Sequence, residues 1–301
     1  MASEQRPAAT GPAAVFLNRA AGSATSPRVR QAVELTRRAL DADLHVTATR
    51  DADEFRAWLE TLVGPYRTVV VAGGDGSLGV AYNLLAGTDV AIGHLPAGFG
   101  NATAHLLRLP RRPEALARVL ALGATRPVDL VSIDGRLALF AGAGWDALVA
   151  GRFAASRAGG VVGWSSSILR SLPDVWRRTP VQVLADGELV HDGPMELMVV
   201  GTTPWFGRGL LVNPGARPDA GRLMARVYAG PAPRFALDAA RWLARRRPTT
   251  PGVAASMVEL RSADGRPIPL QADGDLLGER PEWGFEIRPA AARLIGQWLD
   301  R

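Results

Sequence analysis

The sequence predicts two domains, a parallel-sheet α/β domain followed by an antiparallel β-sandwich. Over the first 130 or so residues, apolar runs rich in Val, Ile and Leu alternate with stretches of helical spacing, the pattern of βαβ units. Beyond that point the pattern changes to short alternating strands broken by Gly, Asp and Pro, as in sandwiches and barrels. The length of 301 residues suits two modest domains or one large one. An apolar share of 47% is ordinary for a chain with a real core.

Residues 1–12 read as a disordered tail. "AAVFLN" is then a strand running into a Gly/Ser turn, and "SPRVRQAVELTRRALDA" a helix with apolar spacing through Val29, Val33 and Leu40. Ser26 supplies its N-cap and Pro27 its first turn. "DLHVTATR" reads as a strand, "DADEFRAWLETLV" as a helix with an aspartate cap, and "RTVVVAGG" as a strand. A helix over Ser77–Ala86 and the strand "VAIGHLPAG" complete the alternation, which implies right-handed crossovers within residues 13–130. Residues 131–288 form the β-rich domain, with strands such as "VQVLADGELV", "MELMVVGTT" and "GRLMARVYAG". Two helical stretches interrupt it, "GWSSSILRSLPDVWRRT" and "PRFALDAARWLARRRP". Residues 289–301, "PAAARLIGQWLDR", read as a short terminal helix that packs back on the first domain.

Composition removes several chemistries. Without cysteine there is no disulfide, thiolate nucleophile or Cys-based zinc site. All 35 basic residues are arginine, so there is no Walker-type lysine loop and no pyridoxal Schiff base. Any phosphate site must use backbone N–H groups, arginine, hydroxyls or metal. The net charge of +6 is compatible with several anionic partners, but no nucleic-acid motif is present. No apolar run reaches the length of a membrane span, and the first residues lack a signal pattern, so a cytoplasmic location is expected. The histidines, His45, His94, His105 and His191, lack metal-ligand spacing.

Two glycine turns carry the chemistry. Gly73-Gly74-Asp75-Gly76 lies where a strand hands over to a helix, and glycine there admits positive φ and close approach of phosphate to the backbone. Asp75 reads as a metal holder, a hydroxyl-orienting group, a proton acceptor or the N-cap of its own helix. "LPAGFGNATAHLL" repeats the arrangement with Gly98, Gly100 and Asn101, the last placed as cap or ligand. Successive strand-to-helix turns in a parallel sheet lie side by side at its carboxyl edge, where ligands bind.

"GGDGSLGVAYNLL" followed by "LPAGFGNATA" resembles the diacylglycerol kinase catalytic-domain family, which includes bacterial lipid kinases and sphingosine kinases. "FLNRAAGS", "TATRDADEF", "GLLVNPGARPDAGRLMARVY" and "PLQADGDLL" extend the resemblance over nearly the whole chain. It implies a Rossmann-like first domain of the NAD kinase and phosphofructokinase type, a cleft between the two domains, and ATP and Mg²⁺ as cofactors. It places Asn18 and Ser23 in the first phosphate-side turn and Thr49 near the nucleotide. Gly73, Gly74, Asp75, Gly76 and Ser77 wrap the phosphates, with Gly98, Gly100 and Asn101 completing the wall. Asp273, with Gly274 and Asp275, falls on the C-terminal motif that carries the bacterial general base, and Asp75 is the alternative catalytic carboxylate. Asp219 falls near a structural Mg²⁺ site and Asp146 lines the substrate cleft. Val80 stands where the family has a glutamate, Phe99 where it has a hydroxyl residue, and Asp275 where it has a longer acid.

The residues of the first helical interruption, Trp164, Ile168, Leu169, Leu172 and Trp176, read as core, with a wall for an acyl chain as the alternative. "ARWLARRRP" reads as a solvated helix end, or as a foot on an anionic membrane. Asp273-Gly274 also fits a plain hairpin turn, because this chain repeats "ADG" at Ala185 and Ala263. The expectation is a lipid kinase acting on a diacylglycerol- or sphingosine-like hydroxyl, in peripheral contact with the membrane's inner face. A homodimer is an open partner. An NAD-kinase-like alcohol kinase and a nucleotide- or lipid-binding relative without catalysis are the alternatives.

Overall fold

The computed structural model describes residues 11–156, 160–176 and 178–298. The tail expected over 1–12 lies outside these up to residue 10. The chain divides into two units, Met1–Val128 with Ala290–Arg301, and Asp129–Pro289.

The first unit runs β1 (Ala13–Asn18), α1 (Pro27–Leu40), β2 (Asp43–Thr47), α2 (Ala52–Leu62), β3 (Thr68–Gly73), α3 (Asp75–Leu85), β4 (Ala91–Pro96), α4 (Ala102–Leu106) and α5 (Pro113–Leu122). Its strands pair in parallel in the order β2-β1-β3-β4. β1 and β3 are buried along their whole length, as expected of parallel strands covered on both faces. Ser26 accepts from the Val29 N–H and Pro27 opens α1, so the cap read from sequence forms. Asp51 does the same for α2 through the N–H groups of Asp53 and Glu54. Since β2 and β3 flank β1 on opposite sides, the carboxyl edge between β1 and β3 is the switch point of the sheet.

The second unit begins in β5 (Ala124–Ile133) and continues through β6 (Arg136–Ala138), β7 (Phe140–Gly144), α6 (Trp145–Ala154) and α7 (Gly160–Ser171). A 3₁₀ turn, Leu172–Trp176, leads to β8 (Thr179–Ala185), β9 (Glu188–Met195), β10 (Leu197–Gly201), β11 (Trp205–Phe206), β12 (Leu210–Leu211), β13 (Leu223–Tyr228) and α8 (Ala232–Leu243). β14 (Val253–Ala255), β15 (Met257–Ser262), β16 (Ile268–Ala272), β17 (Asp275–Arg280) and β18 (Glu282–Gly296) follow. One antiparallel sheet has the order β14-β13-β10-β7-β16-β17, and the other joins β18, β15, β8 and β9. Both contribute to one apolar core that includes Val183, Met198, Val200, Leu260, Leu270 and Phe285, the packing of a β-sandwich.

Three local readings are corrected. α3 starts at Asp75 rather than Ser77, so Gly74 is its N-cap and Asp75 and Gly76 already belong to the helix. α6, Trp145–Ala154, is a helix where the sequence suggested only strands. Residues 289–296 are strand, not helix: Arg293 and Leu294 pair in parallel with Ala91 and Ile92 of β4. Leu294 and Ile295 are fully buried there, and that pairing outweighs the helix preference of the preceding alanines.

Candidate active site

In the first unit, four loops leave the carboxyl ends of neighbouring strands and are tied to one another by polar side chains. Asn18, at the end of β1, donates through Nδ2 to the Thr49 carbonyl at 2.9 Å and to Ser77 Oγ at 3.4 Å, while its Oδ1 accepts from the Ala20 N–H. One buried amide thus joins the β1, β2 and β3 loops across the switch point. Ser23 reaches the loop after β4, donating to the Ala97 carbonyl from both its N–H and its hydroxyl.

The glycines serve close approach rather than unusual φ. Gly73, Gly74, Gly76, Gly98 and Gly100 are not among the positive-φ glycines, and Gly74 is extended. A Cβ on Gly98 falls 2.5 Å from the Gly74 Cα, and one on Gly73 falls 2.8 Å from Ser77 Oγ. The two turns are therefore in backbone contact, and positive φ is not why glycine is needed. The paired bare turns, beside the N-terminus of α3, form a cradle lined by backbone in which a polyanion meets N–H groups rather than side chains.

Asp75 does not cap its own helix. Its carboxylate accepts from the N–H groups of Ala102 and Thr103, at 2.9 and 3.1 Å, and so caps α4 from a different element. Asn101 occupies the N-cap position of α4 in a left-handed conformation, but its amide closes on Gly98 instead, accepting from its N–H and donating to its carbonyl. Thr49 is engaged locally, donating to Glu54 and accepting from the Asp51 N–H. Val80 lies half-buried on α3.

His94 was not singled out by the sequence. It is fully buried in β4, with Nε2 3.2 Å from the Gly73 carbonyl and no partner at Nδ1. Burial lowers its pKa, against the pull of the Asp75 charge and of the Gly73 carbonyl, so the ring is neutral beneath the first glycine turn. A histidine within the apolar run "VAIGHLP" was the available signal.

A second constellation lies in the second unit. Gln271, in β16, donates to the Asp146 carboxylate at 2.6 Å and accepts from the Gly274 N–H at 2.7 Å. Burial pushes the Asp146 carboxyl up to about 6, partly opposed by the Gln271 hydrogen bond. Asp273 and Gly274 form the left-handed hairpin turn between β16 and β17. The buried Asp273 carboxylate accepts from the N–H groups of Leu139 and Phe140, each at 3.2 Å. Asp186, in another Asp-Gly turn, likewise accepts from Ser256 and Met257. Asp186 and Asp273 thus each tie a neighbouring strand, whereas Asp264 in the third such turn bonds to Ser262 and Arg266, and burial sets Asp273 apart from Asp186. Asp275 is paired with Arg136 at 2.7 Å. Trp164 packs edge-on against Phe153 of α6. Asp219 pairs with Arg217 at 3.1 Å. Among the described residues no group of three or more His, Asp or Glu side chains is gathered to hold a metal ion.

Comparison with known proteins follows the same division. Residues 12–133 match the diacylglycerol kinase catalytic domain family, and residues 140–296 match the YegS C-terminal NAD kinase β-sandwich-like domain family. A diacylglycerol kinase of Mycobacterium tuberculosis is 34% identical over 165 residues, 52% of either chain; the match thus spans about half the length of that curated relative. A putative diacylglycerol kinase of Bacillus anthracis str. Sterne superposes with a TM-score of 0.77 at 18% identity, covering 98% of this chain and 97% of the other. An NAD kinase from Archaeoglobus fulgidus in complex with ATP gives 0.51 at 14% identity, covering 95% and 93%. At these identities the two structures speak to the fold alone.

Proposed function

The chain belongs to the family that joins a diacylglycerol kinase catalytic domain to a YegS-type C-terminal domain, and from that premise we propose that it is a lipid kinase, transferring the γ-phosphate of ATP to a lipid hydroxyl. The observation that carries the reading is the contact of the Gly74 and Gly98 turns, held by Asn18, Ser23 and Asp75. In a chain without lysine, a backbone cradle beside a helix N-terminus is the fitting phosphate site.

In this reading Gly73 to Ser77, Gly98, Gly100 and Asn101 hold the nucleotide, with Asn18, Ser23 and Thr49 setting the loops. ATP supplies the transferable phosphoryl group. Catalysis then rests on positioning and charge neutralisation, since phosphoryl transfer asks little covalent chemistry of the protein. Asp219, which pairs with Arg217, would be the carboxylate beside a structural Mg²⁺, and a further Mg²⁺ would come with the nucleotide. The second unit serves the lipid through Asp146, Trp164 and the Gln271–Asp275 turn. Asp75 and Asp273 already accept backbone N–H groups, which fixes where their carboxylates point. Held in this way, they suit orienting the reacting groups. Peripheral work at the inner membrane face completes the proposal.

Transfer of isotopic γ-phosphate to a panel of diacylglycerol, sphingoid base and ceramide tests it, with Asp75→Asn and Asp273→Asn as controls. Labelled lipid that is lost in both variants is the expected result. Label on NAD⁺ alone would overturn the lipid reading. Nucleotide binding without any transfer would favour a non-catalytic relative, the alternative that Val80 and Phe99 motivate.

A further inference from the structure

α7 and α8 of the second unit carry large apolar side chains on their outward faces. On α8 the inward face holds Asp238 and Trp242, both buried. Asp238 accepts from the N–H and hydroxyl groups of Thr249 and Thr250, and the Trp242 indole donates to Tyr228 at 3.0 Å. The opposite face presents Ala236, Leu237, Ala240, Leu243 and Ala244 to solvent, with Leu243 75% and Leu237 48% exposed. On α7 the inward positions are Gly163, Ser167 and Ser171, spaced by four residues. Val162 and Leu169 face outward at 72% and 65% exposure, and Leu172, just past the helix, is 48% exposed. The core expectation for Leu169 and Leu172 therefore fails, and the Trp176 side chain lies outside the described residues.

A water-facing helix places its leucines inward, yet here polar anchors lock both helices the other way. The buried Asp238 carboxylate cannot turn outward without losing four hydrogen bonds. Trp145 ties the helices together, donating to the Ser171 carbonyl at 2.7 Å and packing edge-on against Phe235 of α8. Charge selects the occupant. Arg170 on α7 and Arg234, Arg245, Arg246 and Arg247 on and after α8 are exposed. The acidic groups of these segments, Asp174 and Asp238, are buried, with Asp174 paired to Arg152.

We propose that the outward faces of α7 and α8 form a docking surface for an anionic lipid bilayer, the leucines entering the headgroup boundary and the arginines pairing with lipid phosphates. Shallow apolar insertion beside a basic rim is how interfacial helices bind anionic membranes. The assignment deepens the lipid-kinase reading but is tested without it, because vesicle binding needs no phosphoryl transfer.

The full chain is sedimented, without nucleotide, with vesicles of phosphatidylcholine alone or mixed with phosphatidylglycerol. Binding to the mixed vesicles only, weakening with added salt, is expected. Leu237→Glu with Leu243→Glu, and separately Arg245→Ser, Arg246→Ser and Arg247→Ser together, should each lower the bound fraction about tenfold or more. Phosphorylation of a short-chain, detergent-dispersed acceptor should be unchanged in both. All three arginines are exposed, Arg245 with its guanidinium over the Trp205 ring, so this set disturbs packing less than the leucine pair and decides the matter if that pair fails to fold. Equal binding by the arginine set, or no binding by the unaltered chain, overturns the proposal. So does a dimer that the glutamate pair converts to monomer, since a second copy would then be the occupant.

Discussion

Asp146 holds its carboxyl where only glycine leaves room, since a Cβ on Gly142 would lie 1.9 Å from its Oδ2. Burial raises its pKa from 3.8 to about 6. Below about pH 4 the carboxyl is protonated both folded and unfolded, so it affects stability little. Between about 4 and 6 the folded form binds more protons than the unfolded one, and stability falls as pH rises. Above 6 the cost is constant, at roughly 1–3 kcal/mol. Asp146→Asn is therefore expected to stabilise the protein by about that amount at pH 7 and by almost nothing at pH 4, read from urea unfolding at both pH values. A pH-independent change would show that Asp146 is not held protonated by its surroundings. Asp75 matters as a cap, because its carboxylate satisfies the α4 N-terminus. Asp75→Ala should cost about 1–3 kcal/mol by stranding two N–H groups, and Asp75→Asn, which keeps one acceptor, clearly less. Equal losses in the two variants would argue against the cap.

At the scale of the element, the pair of glycine turns behaves as one object. Gly98→Ala must push its Cβ against the Gly74 backbone, which side-chain motion cannot relieve. The turns must part, with a loss of about 1–3 kcal/mol in stability and about tenfold or more in ATP affinity, measurable by calorimetry. Gly22→Ala is the control, since its Cβ meets nothing nearer than 4.0 Å. The sequence shows both turns, because glycine clusters between strand and helix are local signals. It does not show which carboxylate caps which helix, because Asp75 and Thr103 are 28 residues apart and meet only through strand pairing. Ser26-Pro27 and Asp51 were readable for the converse reason, their partners being two or three residues away. α7 and α8 were visible as helices, but their outward faces were not. Periodicity finds an apolar stripe without saying whether it faces core or water, and polar anchors such as Asp238 decided that.

At the scale of the whole molecule, β18 is the strand that local reasoning misses most completely. Its first residues, Glu282–Glu286, pair antiparallel with β15 of the second unit, and Arg293 and Leu294 pair in parallel with β4 of the first. The change of partner follows Ala290, whose φ of 52° is left-handed, a conformation that costs a non-glycine residue about 1–2 kcal/mol. "PAAARLIG" has the composition of a helix, and only a partner some 200 residues earlier, Ala91–Ile92, makes it a strand. Contacts of that separation are what single-sequence patterns cannot encode, and they form late because the intervening loop must close first. Ala290→Gly removes the left-handed penalty and is expected to stabilise the chain by about 0.5–1 kcal/mol, the gain falling short of the full penalty because glycine is also freer when unfolded. Leu294→Ala instead deletes a fully buried side chain and should cost about 2–5 kcal/mol. In stopped-flow refolding the loss should appear mainly as faster unfolding, with the folding rate little changed, because a strand that pairs late is absent from the transition state. Slower folding with unchanged unfolding would mean that β18 joins β4 early, and the order of assembly argued here would be reversed.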